Sequence, residues 1–353
     1  MSLKNRRLFI RNIEAADYLE NFLVSAVAAV LLIRFYLELT GYPKIATEKL
    51  HIAHMLWGGL LMLIAIIILL SFLSKSSQRL AAIVGGVGFG AFIDELGKFI
   101  TRDNDYFYQP TIALIYVIFV LIIIGIRTIH RGRTYSSEEY IMNGLREMEE
   151  VALHDLDKEE KQRALAYLKK GDPEAPLAKA FRNLLETTEL VPTPRPGILT
   201  RTKRTSQELY QKIAHLPGFP LAIIIFFLFQ LLTKLAYAFV LIFFKGLGFE
   251  QIVNIQILNR MVERFEDLTF LQSMELGSSL LSGIFVMLGI FSIHRSRLTA
   301  FKMFERSILI SIFLTQVFIF YRDQFAALIG LSFNLLVFAA LRYVIRREEA
   351  GEE

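Results

Sequence analysis

The sequence predicts an all-α, polytopic membrane protein, with eight transmembrane helices in two parallel four-helix repeats and a cytoplasmic helical insert between them. Three observations predict it. Of 353 residues, 54% are hydrophobic and 30 are Phe, at a mean hydropathy of +0.45. These residues come in blocks of about 20, the length an α-helix needs to cross ~30 Å of hydrocarbon. Lys and Arg gather at alternate ends of the blocks, and the two halves of the chain resemble each other. No Cys is present, which excludes thiol nucleophiles, zinc–thiolate sites and iron–sulfur clusters.

The apolar stretches lie near 19–40, 51–74, 79–101, 110–130, 218–245, 270–293, 303–321 and 325–345. The basic start MSLKNRRLFIRN carries no small-residue cleavage site after the first stretch, so no removable signal peptide is expected. With the N-terminus inside, most Lys and Arg near span ends are cytoplasmic, from Lys4, Arg6, Arg7 and Arg11 to Arg346 and Arg347. Lys44, Lys49, Arg102, Lys245, Arg260, Arg264 and Arg322 fall outside. Both termini are therefore expected in the cytoplasm. The pI near 9.2 reflects this bias and attraction to anionic lipid, and calls for no nucleic-acid partner.

Duplication is read from four matches in the same order. LLIRFYLEL at 31–39 aligns on LLTKLAYAF at 231–239, and HMLWGGLLM at 54–62 on SMELGSSLL at 273–281. FITRDN at 99–104 matches FIFYRDQ at 318–324, and ALIY at 113–116 matches ALIG at 327–330. Four spans per repeat is an even number, so both repeats run the same way through the bilayer. The expected parts are residues 1–133, the insert with a juxtamembrane helix over 134–216, and residues 217–353.

Within the insert, SSEEYIMNGLREMEEVAL begins with Ser136 and Ser137 as candidate caps and acidic residues in the first turn. DKEEKQRALAYLKKG predicts a second helix ending at Gly171, and DPEAPLAKAFRNLLETTEL a third. VPTPRPG breaks the pattern as a linker. Residues 134–192 are expected to form a small docking unit for a cytoplasmic protein partner, and the basic stretch after them a helix on the lipid surface.

Ionisable residues inside a span cost several kcal/mol unless paired or wet, so each is a candidate site residue. Arg34 and Glu38 fall in the outer half of the first span, Asp94, Glu95 and Lys98 in that of the third, and Lys234 near the middle of the fifth. In GGVGFGAFIDELGKF, Gly86, Gly90 and Asp94 recur every four residues and share one helix face. Small residues there let another helix approach, which points Asp94 at a neighbouring helix rather than lipid. Gly88, Ala91, Glu95 and Lys98 form the adjacent stripe, and Lys98 reaches back to either acid. The expectation is a ligand or ion site screened by water or ligand, so that losing Asp94 ends function while leaving stability nearly unchanged.

In EKLHIAHMLW, Glu48, His51 and His54 recur every three residues. On one helix they supply part of a divalent metal site, zinc or similar, which Asp94 or Glu95 completes. Arg102, Asp103, Asp105 and Tyr106 in TRDNDYFYQP form an acidic, aromatic outer mouth. Three functions fit this pattern. A carrier or channel-like permease for a small ion or solute follows from the duplication and the charges on both halves. An outer-face metal-dependent hydrolase follows from the histidines, and a membrane scaffold from the insert.

Overall fold

The computed structural model describes residues 10–41, 46–47, 50–51, 54–103, 105, 108–130, 134–192, 218–246 and 269–350, with a few isolated positions between 205 and 216; side chains are described except at 46–47, 50–51, 130 and 234–246. Among the described residues, the regular structure is helical apart from one pair of two-residue strands. The elements in order are α1 (Ala15–Leu39), β1 (Ala46–Thr47), β2 (Leu50–His51), α2 (His54–Ser71), α3 (Lys75–Asp94), α4 (Leu96–Ile100) and α5 (Pro110–His130). The insert supplies α6 (Ser137–Leu145), α7 (Met148–Ala152), α8 (Lys158–Lys170) and α9 (Pro176–Thr187). Then come α10 (Phe219–Gly246), α11 (Phe270–Ser292), α12 (Arg297–Ile310), a π turn (Ser311–Thr315), α13 (Gln316–Asp323), a 3₁₀ turn (Gln324–Ala326) and α14 (Ala327–Ala350).

Each apolar stretch of the sequence falls mostly on helix. Among the described residues, Ala15–Leu39, His54–Ser71, Pro110–Ile129, Phe270–Ser292 and the run Arg297–Ala350 are each long and apolar enough to cross a bilayer. They expose apolar surface of the kind that a bilayer would cover: Leu70 is 82% and Ile329 79% accessible. The last run is two helices. Gln324, at φ +49°, turns the chain, and α14 returns antiparallel to α12, with Arg342 3.1 Å from Glu305 and Lys302 2.8 Å from Glu349.

Two compact units are present: Met1–Tyr108 with Ile118–Pro196, and Gln109–Val117 with Gly197–Glu353. The centre of the first unit is α3, whose glycines bring it against two helices at backbone distance. A Cβ on Gly86 or Gly90 would run into the carbonyls of Phe22 and Ala26 on α1. One on Gly88 would lie 2.7 Å from the Gly58 carbonyl oxygen of α2, and one on Gly58 2.6 Å from that of Gly88. The two stripes read from the sequence therefore meet different partners, Gly86/Gly90 packing on α1 and Gly88 on α2. This explains why α3 is less apolar than its neighbours: its small-residue stripes face helices, while Leu80, Ile83, Val87 and Phe92 stay exposed. Where the sequence predicts one helix over 79–101, the structure starts at Lys75 and breaks at Glu95 (φ −88°, ψ +10°).

The insert belongs to this first unit and packs its own core of Leu156, Ala164, Leu168, Ala178, Phe181 and Leu185. Ser136 with Glu139, and Asp157 with Glu160, form reciprocal capping boxes at α6 and α8. The expected long first helix of the insert is divided, because the chain turns at Arg146 and Glu147 between α6 and α7. Gly171 does end α8, at an ordinary φ of −75°. It is glycine for space: a Cβ there would lie 3.0 Å from Ile141 Cγ1 and 3.2 Å from the Ser137 carbonyl oxygen.

The second unit is organised around aromatic rings. Phe227 of α10 stacks on Phe304 of α12 at 4.4 Å between centroids, with Phe301, Ile308, Val286, Leu341 and Val344 buried around them.

Candidate functional site

The break in α3 gathers five ionisable side chains from four helices of the first unit. Asp94 is the last residue of α3 and is 0% exposed; Glu95, at the break, is 1% exposed. Because Asp94 follows Gly86 and Gly90 on the face packed against α1, Arg34 reaches it directly. Arg34 Nε donates to Asp94 Oδ1 at 2.6 Å and Nη2 to the Asp94 backbone carbonyl at 3.0 Å. The guanidinium thus binds the carboxylate and also a carbonyl that the helix end leaves without an intrahelical partner, where the helix dipole favours a cation.

Glu95 plays the reverse role for α2. Its Oε2 accepts from the Met55 N–H at 3.3 Å, one of the donors that the start of a helix leaves over. A carboxylate at a helix N-terminus is also favoured by the dipole. Lys98 Nζ lies 2.6 Å from Glu95 Oε1; of the two acids within its reach, the i−3 residue is the one it takes. His54 bridges the pair, with Nε2 3.2 Å from Asp94 Oδ2 and Nδ1 3.1 Å from Glu95 Oε1. Every carboxylate oxygen of Asp94 and Glu95 has a polar partner. Each ring nitrogen of His54 thus faces a carboxylate oxygen. His54 is also the most accessible member, its side chain 28% exposed.

This arrangement corrects several expectations. The acids are closed in by side chains of the chain itself. Glu48, His51 and His54 do not share a helix, because His51 lies in β2, paired antiparallel with β1 through Ala46, and α2 begins only at His54. Glu48 and the side chain of His51 lie outside the described residues. Among the described residues, no group of three His, Asp or Glu is arranged to hold a metal ion. The physical reason at His54 is that a ligating imidazole aims a lone pair at the metal, whereas here both nitrogens face carboxylate oxygens that Arg34 and Lys98 also neutralise. Glu38 is exposed on α1, and the side chain of Lys234, on α10, lies outside the described residues. Arg102, Asp103 and Asp105 are exposed in the turn after α4, and Tyr106 is outside the described residues.

Sequence reasoning grouped His54 with Asp94 and Glu95, and the structure brings the three side chains together. That reasoning missed a second ionic cluster at the other end of α3. Lys75, the first residue of that helix, is 8% exposed; its Nζ lies 2.6 Å from Glu147 Oε2 of the insert, 3.9 Å from Glu150 Oε1 and 3.8 Å from Glu14 Oε1. Arg163 of α8 adds a contact to Glu147 at 3.0 Å. A cation at a helix N-terminus opposes the dipole, so a buried lysine there signals acids nearby, and that signal is in the sequence. Beside it, Arg11 grips Glu139 of α6 through Nε and Nη2, both at 2.8 Å. Asn143 accepts from the Ile13 N–H and donates to the Arg11 carbonyl, each at 2.9 Å. The Arg11 guanidinium and backbone donors hold the Glu139 carboxyl down to about 2, against the opposing effect of burial. Burial first, and then the charge of Glu160, pushes Glu150 above the usual carboxylate range; burial first, with the charges of Asp157 and Glu147 behind it, raises Glu160, and Lys75 opposes both.

The insert is therefore latched to the segment just before α1 and to α3, and α3 carries one ionic cluster at each end. Comparison with protein-family models, with characterised proteins and with solved structures finds no match for this chain.

Proposed function

We propose that the chain is an integral membrane carrier or channel-like permease for a small ion or solute, with Arg34, His54, Asp94, Glu95 and Lys98 as its charged site. The observation that carries this reading is a histidine bridging two buried carboxylates at the break of a helix packed among apolar helices. Ionisable groups in such surroundings are expensive and mark ion pathways or proton relays, and broken helices are where carriers build their sites. His54, the accessible member, is the route by which a proton enters or leaves. In this reading the chain spans the membrane eight times with both termini and the insert in the cytoplasm, and Lys234 belongs to the second, partly degenerate repeat. The charge bias along the sequence and the helices found at each apolar stretch support it.

The test is flux into liposomes that hold a pH-sensitive dye, with inward and outward proton gradients and a panel of small cations and anions. Flux is expected for the wild type and loss of it in Glu95→Gln, with the far-ultraviolet helical signal retained. Absence of any wild-type flux, or equal flux in Glu95→Gln, would refute the carrier. The latched insert favours a second reading, a membrane scaffold whose insert reports the position of α3. It predicts no flux, and a change in insert docking when His54 is replaced.

A further inference from the structure

The second unit holds a polar track of uncharged groups that the site above does not use. Ser282 of α11 and Ser307 of α12 are each 0% exposed, with hydroxyl oxygens 2.8 Å apart. Ser282 Oγ also lies 3.1 Å from Ser311 Oγ and donates to the Ser307 carbonyl at 3.2 Å. Ser307, Ser311 and Thr315 recur every four residues and so share the face turned to α11. The helices run antiparallel here, since Glu275, one end of α11, meets Arg322 at the far end of α13 at 2.6 Å. Ser278, one turn from Ser282, therefore lies in the direction in which Thr315 lies one turn from Ser311; it is 5% exposed.

Two features go beyond helix–helix adhesion by serines. The helix widens to a π turn over Ser311–Thr315, a distortion that loosens the backbone ladder and recurs at functional sites. The Ile312 carbonyl inside it accepts from the Tyr116 hydroxyl. Thr315, 8% exposed, has a hydroxyl oxygen with no hydrogen-bond partner. A buried hydroxyl left unpaired costs about 1–3 kcal/mol, and an occupant of the track would relieve that.

We propose that Ser278, Ser282, Ser307, Ser311 and Thr315 form a binding site for a small monovalent cation, of which sodium is the representative. The donors are hard, neutral oxygens. A divalent ion takes carboxylates as ligands, and the acids of this helix pair, Glu275, Asp323 and Glu305, are already held by Arg322 and Arg342. A soft metal requires sulfur or imidazole. Loosened backbone carbonyls are among the donors with which membrane carriers hold sodium. The site stands independently of the carrier reading, and if the chain is a carrier it supplies the coupling ion.

The experiment is binding of radioactive sodium to the full-length protein in detergent, with thermal melting in sodium, potassium and N-methylglucamine chlorides at equal ionic strength. Saturable binding is expected, with a melting temperature several degrees higher in sodium than in N-methylglucamine. Thr315→Val, which removes a hydroxyl that bonds to nothing and should fold, is expected to weaken binding at least tenfold, while Thr315→Ser retains it. Indifference of wild-type melting and binding to the cation overturns the proposal, leaving the serines as adhesion only. Unchanged sodium binding in Thr315→Val overturns it as well. Because no flux is measured, a failed transport assay leaves this result standing.

Discussion

Removing Asp94 should unfasten the end of α3, and the structure sets the size of the effect. In Asp94→Ala, Arg34 loses its 2.6 Å bond to Oδ1 and keeps its bond to the backbone carbonyl, while His54 loses its contact at 3.2 Å. Arg34 is 12% exposed in its side chain, so water replaces little of what is lost. Breaking a buried pair from one side typically costs ~3–5 kcal/mol, and charge-assisted hydrogen bonds are each worth about 1.5–3 kcal/mol. Asp94→Ala and Arg34→Met should therefore each destabilise by ~3–5 kcal/mol, lowering the melting temperature by on the order of 10 °C. The double variant removes both charges. It should fall short of the sum by about 2–3 kcal/mol, the coupling expected of residues in one network. Trp57, the single tryptophan of the chain, lies one turn along α2 from His54 and reports the melt by its emission in detergent. Single variants costing under about 1 kcal/mol, or strict additivity, would show that the cluster is wet and that the closed network is wrong.

Packing and pH give two more predictions. Gly58→Ala and Gly88→Ala should each destabilise by ~1–3 kcal/mol or more, because the added methyl meets backbone that cannot shift alone. The neighbouring Gly59→Ala, with nothing within 4 Å, should instead stabilise by about 0.5–1 kcal/mol in the same melts. Docking of the insert should respond to acid in two stages of opposite sign. Glu150 and Glu160 have raised values, so the burden of burying their charge is relieved as pH falls through those values towards 4.5. Glu139 has a lowered value, so its contribution is complete above 4.5 and is lost as pH falls from there towards about 2. Spin labels on Arg79 and Lys158 should give a distance distribution as narrow at pH 5 as at pH 7, and a broad one near pH 3. Broadening already at pH 5, or none at pH 3, would contradict the latch, and Glu139→Gln should remove the low-pH step.

Much of the architecture was legible because hydrophobic length and small-residue spacing are local properties. The stretch 110–130 is helix α5 almost to the residue, and Gly86/Gly90/Asp94 face a neighbouring helix as their spacing of four requires. Boundaries failed where one residue answers to a partner distant in sequence. Glu95 breaks α3 where its carboxylate meets the first turn of α2, and α2 starts three residues after His51. No periodicity within 48–54 records either fact.

The sequence by itself determined that the chain is helical and apolar enough for a membrane, which residues are too polar to face lipid, and which helix faces are smooth enough to pack closely. These follow from transfer free energies and helix geometry, which depend on residue type and spacing alone. Tertiary structure alone decided the pairings: Arg34 with Asp94, Lys98 with Glu95, His54 between both acids, and Lys75 with the insert. An ion pair is a choice among several charges at similar depth. Two residues 60 apart in sequence, such as Arg34 and Asp94, meet only because Gly90 lets α1 and α3 touch at their backbones. The direction in which a long side chain extends from that contact is settled by the helix opposite.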